Sequence, residues 1–425
     1  MLNRPPGLEP FAYREGRLHV EELPLEALHR AVGPCYVYSR AAVERRARAV
    51  LEAFAGRADL VAYAVKANTN PAVLGCLQAL GLGAEVVSEA ELDCARRAGF
   101  DGPRIVFNGN GKMARDLDAA LVAQVAYVNV DGAWELPRLE RAAESVGRRL
   151  ELLLRVNPDL DPDTHPYVAT ALRTSKFGMD FEEAGRVVGR AAEFPGLRFV
   201  GLHFHVGSQI MDPGTIQAGF ERVRDFGLAL EGRGFRMEVL NLGGGFGVDY
   251  AGEGRDLDLA RLAQGLEDAA FWRGRRCILE PGRYLVADSG VLVGQVLGVK
   301  TSHGRRFVIV ELGMNDLIRP ALYEAYHDIV PVVPREGPQL VADVVGPICE
   351  SGDFLAQERE LPQLLPGDLV AVRHVGAYGY SMASNYNGRP RLPEVWVDGR
   401  RAWVTRRGEN LADLARLEGH GEVAL

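Results

Sequence analysis

From residue 60 onward, short apolar runs recur along the chain, and each breaks off on a polar residue or a glycine. They are "LVAYAVKAN" (60–68), "GAEVVS" (83–88), "RIVFNGN" (104–110), "VAYVNVD" (125–131), "ELLLRVNP" (151–158), "RFVGLHFHVGSQ" (198–209), "EVLNLGGGFG" (238–247) and "CILEPGR" (277–283). Helical start and stop signals lie between them. Ser88 with Glu91 three residues on forms a capping box, and Gly99 closes that helix. Asp180 with Glu183 opens another helix, and Asp131 is placed to cap a third. Strands that alternate with helices pair in parallel, because parallel neighbours need a crossover. Eight such units predict a closed (β/α)8 barrel over residues 33–284. A doubly wound open sheet is the rival fold. No dinucleotide fingerprint follows the first strand, however, and eight units favour closure.

The pattern changes after residue 285. "VLVGQVLGVKT", "RRFVIVELG", "QLVADVVG", "DLVAVRHVGAYG" and "EVWVDGRRAWVTRR" read as strands separated by Gly, Pro and Asp turns, with "DGR" at 398–400 as a hairpin turn. Residues 285–425 therefore form a β-rich domain, ending in a short helix at "NLADLARLE". A chain of 425 residues is too long for one ordinary core, which agrees with two domains.

Hydrophobic content of 47% and charged content of 25% are those of a soluble globular protein. The net charge of −8 argues against a nucleic-acid partner. No apolar run approaches the ~18 residues of a membrane span, and "MLNRPPGLEP" has no signal-peptide core. The five cysteines include no CxxC pair, which suits reduced thiols in a cytoplasmic protein.

In a barrel of this kind the chemistry gathers at the C-terminal ends of the strands. Lys66 falls there, with two readings: a lysine sending its charge to water, or a desolvated amine forming an imine with a carbonyl cofactor. His203 and His205 invite a metal pair, but no further ligand cluster accompanies them. A flat imidazole stacked on a cofactor ring is the preferred reading. Gly243, Gly244 and Gly245 allow backbone amides to approach a phosphate, although a tight turn explains them as well. In "EPGR", Glu280 is placed to hold a pyridine nitrogen protonated and Arg283 to bind an anion; an exposed turn with a loose ion pair is the alternative. "GPICESGD" (346–353) carries Cys349, with Glu350 and Asp353 ill suited to a core, which favours a loop at a site. "GAYGYSMASNYN" (376–387) supplies Tyr378, Ser381 and Asn385.

These segments, with "RPALY" at 319–323, occur in the order found in the fold-type III pyridoxal-phosphate decarboxylases, and the chain resembles that family from about Gly33 to its tail. The resemblance is nearest to the branch that converts meso-diaminopimelate to L-lysine and CO2, the last step of lysine biosynthesis. It implies an alanine-racemase-like barrel, with residues 1–32 joining the β domain. It also implies a homodimer whose active sites each borrow "CESGD" from the partner. By the same resemblance Lys66 holds pyridoxal 5'-phosphate as an imine and His205 stacks on the ring. Ser208, Gly243 to Gly245 and Tyr378 bind the phosphate, with Gly282 beside them. Glu280 pairs with the ring nitrogen and Cys349 donates the proton that replaces the carboxylate. Arg283, Arg319 and Tyr323 hold the distal carboxylate of the substrate, and Glu350 its distal ammonium. The segment "THPYVATALRTSKFG" (164–178) resembles a loop of the family, with Ala171 where a glycine is common.

The nearest rivals are decarboxylases of ornithine, arginine or carboxynorspermidine. Glu350 stands after the cysteine where polyamine-type relatives carry aspartate. An alanine racemase would set an arginine where Glu280 stands. A non-catalytic regulator on the same fold would lack Lys66 or Cys349, and a simple pyridoxal-phosphate carrier would lack the β domain's motifs.

Overall fold

The computed structural model describes residues 10–160 and 176–419. Most of "THPYVATALRTSKFG", including Ala171, lies outside the described residues. By chain contacts the molecule divides into two compact units, Val43–Val286 and Met1–Ala42 with Ala287–Leu425.

The first unit is a closed parallel barrel of eight strands. In chain order these are Leu60–Ala64, Gly83–Val86, Ile105–Phe107, Tyr127–Val130, Leu150–Arg155, Leu197–His203, Val239–Asn241 and Arg276–Leu279. All eight apolar runs become barrel strands, because strands covered on both faces read as near-continuous hydrophobic stretches. Leu60, Ala62, Val106, Tyr127, Leu153, Val200, Val239 and Ile278 form one buried cluster. Two helix starts follow the sequence signals. Ser88 Oγ accepts the Glu91 amide at 3.2 Å ahead of helix Glu89–Arg97, and Asp180 Oδ1 accepts the Glu183 amide at 2.6 Å ahead of Phe181–Gly189. Asp131 caps no helix. Its Oδ1 accepts the Gly178 amide at 2.9 Å, and helix Leu136–Val146 is entered through a 3-10 turn at Ala133–Glu135.

The second unit is built on a nine-stranded sheet. Its long strand Gly290–Ser302 pairs antiparallel with Arg305–Val310, Leu369–Arg373 and Cys35–Ser39. Cys35–Ser39 falls in the segment assigned to the barrel from sequence. It instead lies between Gly290–Ser302 and Glu394–Asp398, pairing in parallel with the latter. The boundary accordingly follows Ala42, ten residues later than the sequence suggests. Val37, Val291, Val293, Val395 and Val397 anchor this unit's core. Glu394–Asp398 and Arg401–Arg406 close around Gly399-Arg400, where Gly399 takes φ 58°, the left-handed turn geometry that glycine adopts without strain. Among the described residues no helix is long and apolar enough to cross a membrane.

Candidate active site

Side chains two apart on a strand share a face. Two residues beyond the core positions Val106, Tyr127, Leu153, Val239 and Ile278 stand Asn108, Asn129, Arg155, Asn241 and Glu280, all buried. Glu85 on the second strand and His203 at the end of the sixth complete a polar layer on top of the apolar one. A buried polar group is costly unless it is paired, and Glu85, Asn108, Asn129, Asn241 and Glu280 bond to one another. Asn241 Nδ2 donates to Glu280 Oε1 at 2.7 Å, and Asn108 Nδ2 donates to Glu280 Oε2 at 3.0 Å and to Glu85 Oε1 at 2.9 Å. Asn129 Nδ2 donates in turn to Asn108 Oδ1. His203 Nε2 lies 3.2 Å from Glu280 Oε2, within ion-pair range though off the hydrogen-bond direction. Burial alone would push the Glu280 carboxyl up. His203, the Asn241 amide and the Lys66 charge outweigh it and hold the group well below the usual carboxylate range.

Lys66 is not the last residue of its strand, which ends at Ala64. It sits in a 3-10 turn, Val65–Ala67, that turns its side chain back over the barrel. Its Nζ lies 2.5 Å from Glu85 Oε2, so the amine is held by a buried carboxylate rather than simply sent to water. The strand likewise stops at His203, and His205 stands two residues beyond it. The Gly244 amide donates to His205 Nδ1 at 3.2 Å, so a neutral ring carries its proton on Nε2. Burial, followed by the Arg155, Lys66 and His203 charges, pushes the His205 pKa down to about 3 against the pull of Glu280. The imidazole is therefore neutral near pH 7, a flat aromatic face without charge.

The triple glycine makes a turn that no other residue could make. A Cβ on Gly244 would come within 2.1 Å of Glu280 O, and one on Gly245 within 2.1 Å of Gly207 O. The Gly243 amide donates to Asn241 Oδ1 at 2.9 Å, which ties this turn to the polar layer. Gly282 is also tightly packed, though less so, with its missing Cβ 2.9 Å from Ala64 Cβ. "EPGR" is no exposed turn: Glu280 and Arg283 are both buried. Arg283 Nη1 donates to Tyr250 OH at 2.9 Å and Nη2 to Ser208 Oγ at 3.0 Å, so Ser208 and Arg283 are brought together.

In the sheet unit, Cys349 is exposed and its amide donates to Asn387 Oδ1 at 2.7 Å. Glu350 is exposed beside it, with Tyr386 OH 3.4 Å from Oε2. Asp353, expected at the surface of this loop, is buried instead. Its carboxylate accepts the Ile348 and Met314 amides, each at 2.6 Å, and so staples the loop from beneath. Arg319 opens the short helix Arg319–Tyr323 and is buried against His327, Nη1 to Nε2 at 2.8 Å. Tyr323 is half-buried at the other end of that helix. Tyr378 takes φ 58°, a left-handed backbone that a tyrosine rarely adopts, between glycines 376 and 379.

Sequence reasoning overlooked Glu85, Asn108, Asn129, Asn241 and Tyr250. The signal for the first four was a lone polar letter inside a buried strand run. Tyr250 lies in a loop and carried none.

Residues 40–287 match the sequence model of the pyridoxal-dependent decarboxylases, over its pyridoxal-binding domain. The chain is 43% identical over 408 residues to a diaminopimelate decarboxylase of Pseudomonas aeruginosa, covering 96% of this chain and 98% of the relative. A relative of the same name from Aquifex aeolicus is 42% identical over 399 residues, covering 94% of each. The solved diaminopimelate decarboxylase of Helicobacter pylori complexed with L-lysine superposes with a TM-score of 0.88 at 40% identity, over 92% of this chain and 98% of that one. The chain that carries this polar layer and glycine turn thus belongs to the pyridoxal-dependent decarboxylases, in their diaminopimelate decarboxylase branch.

Proposed function

We propose that the protein decarboxylates meso-diaminopimelate to L-lysine and CO2, using pyridoxal 5'-phosphate. The observation that carries the reading is the hydrogen-bonded row of Lys66, Glu85, Asn108 and Glu280, in which a part-exposed amine meets three buried side chains and the far end is a low-pKa carboxylate. That donor set fits the cofactor: a nucleophilic amine for its aldehyde, an anion for its ring nitrogen, a neutral imidazole for its face and a side-chain-free turn for its phosphate. When bound, the cofactor supplies an electron sink for the charge left by departing CO2.

The chain's own residues do the rest. Lys66 would hold the cofactor covalently through its aldehyde. Glu280 stays anionic and keeps the proton on the ring nitrogen. His205, uncharged, covers one face of the ring. Ser208, Gly243 to Gly245 and Tyr378 bind the phosphate, with Gly282 leaving room beside Ala64. Arg283, Arg319 and Tyr323 take the distal carboxylate of the substrate and Glu350 its distal ammonium. Cys349 delivers a proton to the carbon that lost CO2. The exposure of Cys349 and Glu350 on a stapled loop supports a homodimer in which a second copy supplies both. Free thiols, one of them exposed, support a cytoplasmic setting.

Borohydride reduction of the loaded protein followed by peptide mass analysis tests the core of this reading. The cofactor mass is expected on the peptide holding Lys66 and lost in Lys66→Ala, together with about 10³-fold or more of the activity. A label on any other residue, or faster turnover of ornithine than of diaminopimelate, sinks it.

A further inference from the structure

Asn108 stands just past the third barrel strand, and its one amide nitrogen faces two carboxylates from different strands. An amide NH2 has two hydrogens, so Glu85 Oε1 at 2.9 Å and Glu280 Oε2 at 3.0 Å are served at once. The orientation is fixed by its surroundings. Asn129 Nδ2 donates to Asn108 Oδ1, and a flipped Asn108 would aim its oxygen at two carboxylates.

Two carboxylates this close and this buried would ordinarily share a proton. The groups around them oppose that. Lys66 neutralises Glu85, and His203, Asn241 and Lys66 favour the anion at Glu280. His205 also faces Glu280, under the charges of Arg155 and Lys66. On the other side burial, and after it the Glu85 charge, raises the Glu91 pKa to about 7. Of these groups, Asn108 bonds both carboxylates.

We propose that Asn108 is a positioning residue that keeps Glu85 and Glu280 ionised together, and so couples the lysine end of the site to the ring-nitrogen end. Were Lys66 to pass between free and covalently engaged amine, the number of N–H donors it offers Glu85 would change. The shared amide passes that change to Glu280. The inference rests on the pyridoxal reading above.

The test is infrared difference spectroscopy of the cofactor-loaded enzyme across the neutral pH range, which detects a protonated buried carboxyl by its C=O band. The band of Asp316, which titrates near neutrality in parent and variant alike, cancels when parent is subtracted from variant; Glu91, which feels Glu85, is controlled by reading the double variant against Glu85→Gln alone. Asn108→Leu is expected to gain a carboxyl band whose midpoint lies at least about one pH unit above any in the parent, and to bind pyridoxal phosphate about tenfold more weakly. Adding Glu85→Gln removes the competing charge, so the band should vanish and affinity recover to within about threefold of Glu85→Gln alone. Loss of packing would not be rescued in this way. Should Asn108→Leu fail to fold, Asn108→Ala, which removes the amide and adds no carboxyl, must show the same band. An unchanged spectrum in either variant, or a band that persists with Glu85→Gln, overturns the proposal. If the parent protein takes up no cofactor covalently, the functional reading fails instead.

Discussion

The barrel's polar layer and the Cys349 loop hold charged groups in opposite ways. In the barrel, side chains from several strands bond to one another, so each acid is fixed by other side chains from more than one direction. In the loop the chemistry-bearing side chains face solvent, and order comes from below, through backbone amides that converge on Asp353. The first arrangement sets pKa values and tolerates little. The second fixes where a side chain is presented and leaves it open to solvent.

The sharpest way to break this comparison is at Cys349. Cys349→Ala is expected to slow decarboxylation by about 10²–10⁴-fold, the usual range for a lost proton donor. Its melting temperature should stay near that of the parent, because the residue is exposed. Full activity in steady-state CO2 release would remove the loop from the chemistry. Gly244→Ala should do the reverse. A Cβ 2.1 Å from Glu280 O forces the turn apart and costs about 1–3 kcal/mol of stability, readable by denaturant titration, together with weaker cofactor binding.

Asp353→Ala removes the shared acceptor of two amides and should cost about 1–3 kcal/mol. Activity should fall with it although Asp353 touches no substrate, and Asp353→Asn, which keeps one acceptor oxygen, should recover part of both. The last prediction concerns pH and His205. Its folded pKa of about 3 lies below the ordinary 6.5, so the unfolded chain takes up its proton first on acidification. The stability this contributes is whole above pH 6.5 and drains away as pH falls towards 3. The cofactor-free His205→Asn protein should therefore lose less stability over that window, measured by thermal melts.

The barrel was legible because each of its strands is wrapped on both sides and shows as an apolar run. The acid layer was not, because each strand contributes a single polar letter, such as Glu85 in "GAEVVS" or Asn241 in "EVLNLG". Pairing of neighbouring strands joins some of those letters, and closure of the barrel brings Asn108 within 3.0 Å of Glu280, 172 residues further along the chain. Asp131 looked like a cap because local signals see only nearby amides, whereas its true partner, Gly178, lies far along the chain. Cys35–Ser39 fell to the barrel because the barrel segment was begun at residue 33 and no strand was read before residue 60. Which neighbours they pair with is decided by residues more than 250 positions later. Asp353 was misjudged as a surface acid because sequence shows the charge but not the two amides that satisfy it.

That strand has a consequence for how the molecule is made. Cys35–Ser39 is flanked by Gly290–Ser302 and Glu394–Asp398, so both its neighbours leave the ribosome long after it does. At roughly 5–20 residues per second, it waits on the order of ten to fifty seconds for the first of them. During that interval the intervening barrel residues can be completed, while five apolar-rich residues stand with both edges open. Birth order thus makes the barrel the early folder and leaves the sheet to be finished last, which is when a growing chain of this kind has most need of a chaperone.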